Sequence, residues 1–245
     1  MKALLIGATR GMGRSLARLM VERGDQLFLL GRDESALEVT AADLTARGAS
    51  GSVGTAFCDL ESRSGFEAAL DAAWAGLEGV DTVVVTAGLF GTQESLEADA
   101  VLRQRVLSVD FANTVEFCEQ VRMRLLADGG GTLCVFSSVA GDRARKKVVL
   151  YGAAKAGLSS YLEGVDLRYR EAGLRTVLIK PGFVRTSMTA ALDEPPFAVG
   201  PDEAARGALR AIDRGASVAY VPPVWRLVML IIRSLPTWVL RRTDF

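Results

Sequence analysis

The feature that most constrains this fold is a regular alternation of short, wholly apolar runs with longer stretches of helical periodicity. The first run covers residues 3–6 and precedes a helical pattern over 11–23; a second run over 26–30 precedes a helix over 33–47. Apolar runs without polar alternation are typical of parallel strands covered by helices on both faces. The pattern therefore predicts an α/β chain built from βαβ units.

The alternation continues through the rest of the chain. Further strands are predicted near 52–57, 82–86, 132–137, 176–179 and 218–221, with helices over 66–77, 101–126 and 151–172. A length of 245 residues suits one α/β domain, and no repeat or low-complexity tract divides it. We predict a single doubly wound Rossmann domain over 1–245 with a seven-stranded parallel sheet and helices on both faces. Residues 187–200 are the predicted substrate loop, and 222–245 the predicted amphipathic C-terminal segment.

Composition excludes several classes of function. The chain has 29 basic residues, 29 acidic residues and no histidine, so it lacks the basic balance of a nucleic-acid binder and cannot use histidine in catalysis. Cys58, Cys118 and Cys134 are too widely spaced for a close pair of metal ligands, so we expect buried thiols and no metal site. No apolar region matches a secretion signal or a membrane span, which favours a cytoplasmic protein.

A glycine-rich loop directly follows the first predicted strand and leads into the first helix. Its glycines would permit a tight turn and the close approach of a diphosphate to amides at a helix N-terminus, where the helix dipole favours negative charge. This position between strand and helix makes the loop more specific than a lone glycine cluster. We predict a dinucleotide site that includes Gly7, Thr9, Arg10, Gly11, Met12 and Gly13.

The end of the second strand predicts which dinucleotide binds. An acidic residue there would accept a hydrogen bond from a free ribose 2′-hydroxyl, but a glycine and Arg32 occupy the place. Arg32 and Arg10 favour NADPH over NADH through charged hydrogen bonds to a 2′-phosphate; the alternative is that both are solvated surface residues. Asp33 is expected to cap the next helix. Asp59 and Leu60, after the third strand, are expected at the adenosine end of the site.

Tyr151 and Lys155 carry the predicted chemistry. Residues four apart project from the same face of a helix, so the ammonium group would lie near the phenol and lower its pKa from about 10. Ser138, at the end of a predicted strand, can donate a hydrogen bond to a carbonyl oxygen that gains charge as hydride arrives. The three residues together predict a site for carbonyl reduction.

These motifs resemble the short-chain dehydrogenase/reductase family over residues 1–221. The resemblance implies that Tyr151 is the general acid and base, that Ser138 orients the carbonyl and that Lys155 also holds the nicotinamide ribose. It implies that Val184 and Thr186 meet the carboxamide, and that the protein is a homodimer or homotetramer. The cofactor residues implied by the family motifs are Ala87, Gly88, Tyr151, Lys155, Pro181, Gly182, Val184 and Thr186.

The chain departs from the family pattern at two positions. Thr86 replaces an asparagine, and its hydroxyl can still form a hydrogen bond. Asp110 replaces the asparagine that steadies a helix bend and a water beside the lysine, while Asn113 is expected to face elsewhere. A carboxylate at 110 could raise the pKa of Lys155 and, in a tight ion pair, weaken its effect on Tyr151. Asp110 is therefore a fourth candidate catalytic residue.

Two segments bear on the substrate. A basic loop between the serine and the tyrosine carries Arg143, Arg145, Lys146 and Lys147, and indicates either an anionic substrate or a solvated or subunit-facing loop. The C-terminal segment has tryptophans, an apolar face and flanking arginines. It predicts either contact with a membrane interface or packing against protein.

Residues 134–245 also resemble one branch of the family, the decaprenylphosphoryl 2-keto-ribose (erythro-pentofuranosid-2-ulose) reductases. The resemblance implies NADPH-dependent reduction of a lipid-phosphate-linked 2-keto-sugar by a protein peripheral to the inner face of the membrane. Two alternatives stay open: a soluble 3-oxoacyl thioester or polyketide ketoreductase, and an NADP-binding scaffold or sensor without turnover. The residues shared with the branch are Ser137 to Gly141, the basic loop, Tyr151, Gly152, Lys155 to Leu158, Pro181 to Thr186, Pro223, Arg226, Met229, Arg233 and Pro236.

Overall fold

A seven-stranded parallel sheet forms the centre of the computed structural model, which describes residues 1–49 and 51–242. The strands are β1 (Lys2–Ile6), β2 (Gln26–Gly31), β3 (Gly54–Phe57), β4 (Thr82–Val85), β5 (Gly131–Phe136), β6 (Leu174–Pro181) and β7 (Val218–Val221). Their order is β3-β2-β1-β4-β5-β6-β7, and each neighbouring pair is parallel. The strand order reverses between β1 and β4, which is where doubly wound sheets bind ligands. The predicted fold is confirmed.

Helices connect the strands and cover both faces of the sheet. They are α1 (Gly11–Glu22), α2 (Glu34–Ala46), α3 (Phe66–Leu77), α4 (Gln93–Ala98), α5 (Ala100–Leu107), α6 (Asn113–Ala127), α7 (Val149–Tyr169), α8 (Pro201–Arg214), α9 (Val224–Ser234) and α10 (Thr237–Arg242). Within the described ranges, no helix is long and apolar enough to cross a bilayer.

Successive side chains of each strand enter two different apolar cores. On β1, Leu4 enters the core formed with α3, α6 and α7, whereas Leu5 enters the core formed with α1, α2 and α8. Both faces of the strand are therefore buried, because side chains alternate along a pleated strand. This two-sided burial explains why the strands are apolar without polar alternation.

The three cysteines are buried as free thiols. Burial raises the pKa of Cys58 to about 12, and burial also raises the pKa values of Cys118 and Cys134. The predicted burial of the thiols is confirmed.

The continuous helix predicted over 101–126 is wrong. A π-helical turn, Ser108–Ala112, separates α5 from α6. The Thr114 hydroxyl donates to the Val109 carbonyl at 2.6 Å, and the Leu89 amide donates to the Asp110 carboxylate at 2.9 Å. Apolar periodicity does not reveal such a turn, because the residues on either side still face the core.

The C-terminal segment consists of two short helices in its described part. α9 ends at Ser234 and α10 begins at Thr237, with Leu235 and Pro236 between them. Trp225, Met229 and Ile232 on the inner face of α9 are buried in a third apolar cluster. Residues 243–245, which the predicted segment included, lie outside the described residues.

Candidate active site

The glycine loop lies at the carboxyl end of β1. Gly7 and Gly11 have φ values of +93° and +52°, in the left-handed region that favours glycine. A Cβ on Gly13 would collide with the Gly7 carbonyl oxygen. The Thr86 hydroxyl donates to the Ile6 carbonyl at 3.1 Å, so it forms the hydrogen bond expected of it. Without glycine at these positions the loop could not pack this closely against β1 and β4.

The N-terminus of α1 is open at the glycine loop. Arg10, its N-cap residue, makes no capping side-chain hydrogen bond, and the first turn of the helix carries no acidic residue. The first amides of a helix have no partner within the helix, and the helix dipole favours negative charge there. The structure of this turn therefore suits an anion such as a diphosphate.

A cleft of about 610 Å³ runs along the carboxyl ends of β1, β2 and β4. Most of the predicted cofactor residues line it: Gly7, Thr9, Arg10, Gly11, Met12, Gly13, Arg32, Asp59, Leu60, Ala87, Gly88 and Thr186. A concave site with a glycine loop and an uncapped helix N-terminus fits a dinucleotide.

Five of the predicted cofactor residues do not line this cleft: Tyr151 and Lys155 on α7, and Pro181, Gly182 and Val184. Val184 is buried, Gly182 packs against the indole ring of Trp225, and Pro181 ends β6. Thr186 does reach the cleft. The contact of Val184 with a carboxamide stays a prediction.

A second cavity of about 540 Å³ adjoins the cleft and shares Thr186 and Ser187 with it. Leu192 and Glu194 line its other side, within the irregular loop over 187–200. This position suits a substrate loop, and that role stays a prediction.

Arg32 lies at the edge of the cleft and is held by an acidic residue. Its Nη1 is 2.7 Å from Glu61 Oε1, and Arg105 Nη2 is 2.7 Å from the same oxygen. The hydrogen bond from Arg105, together with the charges of both guanidinium groups, lowers the pKa of Glu61. Arg32 stays half exposed, and Arg10 is exposed nearby on the cleft wall. Glu61 was not identified from the sequence because it belongs to a different loop from Arg32.

The two predicted acidic positions have different roles. Asp33 caps α2, since its Oδ1 accepts from the Ala36 amide at 3.0 Å, as predicted. Asp59 lines the cleft, and its Oδ1 accepts from the Glu61 amide at 2.9 Å. The Asn113 side chain donates to the Leu60 carbonyl at 2.7 Å and thus faces this loop, away from Lys155 as expected.

A close backbone contact brings Ser138 to α7, which carries Tyr151 and Lys155. A Cβ on Gly141 would lie 2.7 Å from the Lys155 carbonyl carbon, and one on Gly152 would lie 2.9 Å from a carbonyl oxygen in the turn after Ser138. The Ser138 hydroxyl accepts from an amide of that turn at 3.1 Å. The structure therefore brings the predicted serine and the tyrosine–lysine pair together.

Ser137 anchors the same helix, a role that was not predicted from the sequence. The hydroxyl oxygens of Ser137 and Ser159 lie 2.8 Å apart, and they lie 2.9 and 2.8 Å from the Lys155 carbonyl oxygen. All three residues are buried. These contacts fix the turn of α7 that carries the lysine against the end of β5.

Phe90 and Gly88 connect Tyr151 and Lys155 to the cleft. Phe90 lines the cleft, and its ring packs edge-to-face against Tyr151 with the centroids 5.1 Å apart. A Cβ on Gly88 would lie 2.8 Å from Asp110 Oδ1 and 3.4 Å from Lys155 Nζ. The lysine and the carboxylate are thus directly behind the cleft wall.

Asp110 is buried and paired with Lys155. Its Oδ1 lies 3.3 Å from Lys155 Nζ, and among the described residues its Oδ2 has no hydrogen-bond partner. Burial lowers the pKa of Lys155, but Asp110 and Tyr151 raise it by more, so the pKa lies above its ordinary value. Burial raises the pKa of Asp110 despite the opposing effect of Lys155.

The expectation that Lys155 gives Tyr151 a lowered pKa is wrong in its net direction. Burial raises the pKa of the phenol, and Asp110 adds to this; Lys155, Ser138 and Arg145 act in the opposite direction without reversing it. The main reason is burial of the phenol, and the buried Asp110 carboxylate, which faces the same ammonium group, acts in the same direction. Tyr151 is therefore held as a neutral phenol, the form that can give a proton.

A family model described as short chain dehydrogenase matches residues 1–196. The chain belongs to the short-chain dehydrogenase/reductase family. It is an NAD(P)-dependent oxidoreductase.

Curated relatives of this short-chain dehydrogenase/reductase cover nearly its whole length. An uncharacterised oxidoreductase of Mycobacterium tuberculosis is 30% identical, over 98% of this chain and 95% of its own length. An uncharacterised oxidoreductase of Streptomyces coelicolor is 34% identical, over 98% of this chain and 94% of its own length.

Solved structures share the fold. A variant of the actinorhodin polyketide ketoreductase with NADPH has a TM-score of 0.80 and 24% identity, over 89% of this chain and 94% of that one. A short-chain type dehydrogenase/reductase from Mycobacterium marinum has a TM-score of 0.81 and 23% identity, over 89% of this chain and 92% of that one.

The basic loop of this short-chain dehydrogenase/reductase contacts the C-terminal segment. Arg143 Nη2 donates to the Leu235 carbonyl at 3.2 Å, and Lys146 Nζ donates to the Arg241 carbonyl at 2.8 Å. At least two of its cations therefore bind backbone carbonyls of that segment, while Lys146 and Lys147 remain exposed, and both sequence-based alternatives for the loop stay predictions.

Proposed function

We propose that this enzyme reduces a ketone to a secondary alcohol with NADPH, and that Tyr151 gives the proton. The observation that carries the proposal is the position of the Tyr151 phenol, which packs against Phe90 of the dinucleotide cleft and shares α7 with the buried Lys155. A bound nicotinamide nucleotide would supply the hydride, held by the glycine loop, Thr186 and Lys155.

Four side chains have separate roles in one proton transfer. Ser138 donates a hydrogen bond to the substrate carbonyl oxygen, and Tyr151 gives that oxygen its proton. The ammonium group of Lys155 stabilises the phenolate that remains. Asp110 holds the ammonium in place through its 3.3 Å contact. The raised pKa of Tyr151 keeps the phenol neutral, so its hydroxyl carries the proton that reduction requires.

Arginines at the adenosine end of the cleft support NADPH as the nucleotide. Arg32 directly follows β2, is held at the cleft edge by Glu61, and remains half exposed. Arg10 lines the same cleft and is exposed. Two guanidinium groups suit a 2′-phosphate, which an acidic residue at the end of β2 would repel.

For the substrate, we extend the proposal to a lipid-phosphate-linked 2-keto-sugar. The resemblance of residues 134–245 to the keto-ribose reductases supports it, as does the packing of Trp225 and Met229 of α9 on Val139, the residue after Ser138. A lipid-linked ketone requires contact with a membrane surface, which we assign to 222–242. The proposal includes a homodimer or homotetramer, as the family resemblance implies.

A soluble ketoreductase for 3-oxoacyl thioesters or polyketides is the competing assignment. Arg143 and Lys146 would have to bind the phosphopantetheine arm of such a substrate. Both instead donate to carbonyls of the C-terminal segment, which disfavours the phosphopantetheine arm as their partner.

The test is NADPH oxidation by the purified protein with three ketones: the decaprenylphosphoryl 2-keto-ribose, a 3-oxoacyl thioester and a soluble cyclic ketone. We expect the highest kcat/KM with the first. The matched variant Tyr151→Phe should bind NADPH, measured by its fluorescence, but should reduce none of them, because its ring has no proton to give. Turnover by Tyr151→Phe would refute the assignment of the acid. Preference for the thioester would favour the competing enzyme, and NADPH binding without any reduction would favour the scaffold or sensor.

A further inference from the structure

The outer face of α9 carries an exposed apolar surface beside a group of arginines. We infer that this surface, with the arginines of α9 and α10, docks on a bilayer that contains anionic lipids. The inference rests on the proposed function, since it names the lipid surface at which a lipid-linked substrate would be met. We call Leu227, Leu230, Ile231 and the four arginines of 222–242 the docking surface.

The apolar part of the docking surface follows helical spacing. Leu227, Leu230 and Ile231 lie three and four residues apart and are 61%, 66% and 56% exposed. The opposite side of α9, with Met229 and Ile232, is buried. One helix therefore has two apolar faces, and only the inner one is covered by the described chain. An uncovered apolar face of this kind is a contact surface.

All charged residues of the docking surface are positively charged arginines. Residues 222–242 include Arg226, Arg233, Arg241 and Arg242 and no acidic residue. All four arginines are exposed. Trp238 is also exposed, and the Arg242 guanidinium lies 5.8 Å from the centroid of its ring. Tryptophan rings and arginine heads with apolar stems suit the headgroup region of a bilayer, where phosphates accept from guanidinium groups.

The charges favour a bilayer over a second copy of this chain. A two-fold contact through this surface would bring the same patch from each copy together. The four arginines of one 222–242 segment would then face the four of the other without an acidic residue from either segment between them. Juxtaposition of like charges opposes association, whereas anionic headgroups attract the same arginines.

Helix α9 lies between the docking surface and the loop that carries Ser138. The inner face of α9 packs on Val139, which directly follows Ser138. Phe197 of the 187–200 loop packs edge-to-face on Trp225, with centroids 6.5 Å apart. Arg143 joins the basic loop to the end of α9 through the Leu235 carbonyl. A bilayer on the outer face of α9 would therefore lie close to the segments that surround a substrate.

The test is co-sedimentation of the full chain with vesicles of phosphatidylcholine mixed with phosphatidylglycerol, compared with phosphatidylcholine alone. We expect binding to the anionic vesicles and release at high salt. The triple variant Leu227→Gln/Leu230→Gln/Ile231→Gln should bind about a hundredfold more weakly, because it loses three apolar side chains. Arg226→Gln/Arg233→Gln should bind roughly tenfold more weakly. Leu167→Gln, an 87% exposed position on α7, is the control and should bind like the native protein.

The inference would be overturned if the native protein did not bind anionic vesicles, or if the triple variant bound them with the affinity of the native protein. So would a triple variant that changes from oligomer to monomer by light scattering yet keeps its vesicle binding, since the face would then belong to a second copy. Reduction of a soluble ketone is measured in the same samples and should be equal in all variants. Vesicle binding by native protein that reduces neither the soluble ketone nor the lipid-linked ketone would support the docking surface while contradicting the proposed function. Reduction of a ketone without vesicle binding would support the reductase activity and contradict the docking surface.

Discussion

Lys155 Nζ lies 3.3 Å from Asp110 Oδ1, and both side chains are buried. The pair joins the π-helical turn between α5 and α6 to the helix that carries Tyr151. A carboxylate at this point competes with the phenolate for the same ammonium charge, so it opposes ionisation of Tyr151. Asp110 therefore places beside Lys155 a negative charge that the asparagine implied by the family resemblance would not carry.

Asp110→Asn should move the pH dependence of the reaction toward lower pH. The amide oxygen can still accept from the Leu89 amide, but the negative charge beside Lys155 is gone, so the pKa of Tyr151 falls. Reduction needs the neutral phenol and is lost as pH rises through that pKa, so its alkaline limb should move down by about one pH unit. Oxidation of the alcohol needs the phenolate and should begin at correspondingly lower pH.

The measurement is kcat against pH in both directions for native protein and Asp110→Asn. Glu171→Gln, at an exposed acidic residue in the turn after α7, serves as the control and should leave both profiles in place. Identical profiles for Asp110→Asn and the native protein would show that the carboxylate does not influence Tyr151.

Arg32→Ala should weaken NADPH binding about thirtyfold and leave NADH binding nearly unchanged, because only NADPH has a 2′-phosphate for the guanidinium to bind. Isothermal titration with both nucleotides gives the two Kd values. Arg105→Ala is the matched control, since Arg105 contacts the same Glu61 but does not line the cleft. Equal losses for both nucleotides in Arg32→Ala would show that this arginine does not bind the 2′-phosphate.

Gly13→Ala should abolish nucleotide binding, whereas Gly164→Ala should stabilise the fold. A Cβ on Gly13 would collide with the Gly7 carbonyl oxygen, so the loop must shift and nucleotide binding should be lost. A Cβ on Gly164, which lies on α7, meets no atom within 4 Å. Alanine there should raise the free energy of unfolding by about 0.5–1 kcal/mol. Nucleotide Kd and Tm are measured for both variants; normal nucleotide affinity in Gly13→Ala would contradict the close packing of the loop.

The fold was predictable because its signals are local. Each strand buries both faces, so strands such as β4 are uninterrupted apolar runs, and the glycine loop lies where the first run ends. The proximity of Tyr151 and Lys155 also followed from spacing, since residues four apart share a helix face, and Ser138 was predicted from its place at the end of a strand.

The missed features depend on contacts between distant segments. Glu61 binds Arg105 across 44 residues of sequence, and Lys146 binds the carbonyl of Arg241 across 95. The Asp110 carboxylate of the π-helical turn accepts a hydrogen bond from Leu89 in the loop after β4, a contact that helical periodicity could not reveal. The raised pKa of Tyr151 required both the burial of the site and the position of that carboxylate.

A buried ion pair anchors the loop that follows Ser138. Lys180 Nζ lies 2.7 Å from Asp142 Oδ1, and the two side chains are 7% and 2% exposed. The Tyr220 hydroxyl donates to the other Asp142 oxygen at 2.7 Å. Asp142 thus joins the loop after β5 to β6 and β7.

Asp142→Ala should lower the free energy of unfolding by about 3 kcal/mol, because among the residues that the structure describes it leaves the buried Lys180 ammonium with only the Glu163 carboxylate as an ion-pair partner, 3.8 Å away. Chemical denaturation measures the loss. Glu163→Gln, at an exposed partner, should cost less than about 1 kcal/mol. The double variant Asp142→Ala/Lys180→Met should recover much of the lost stability, because no unpaired charge then remains buried. A single Asp142→Ala variant as stable as the native protein would show that the pair does not hold this loop.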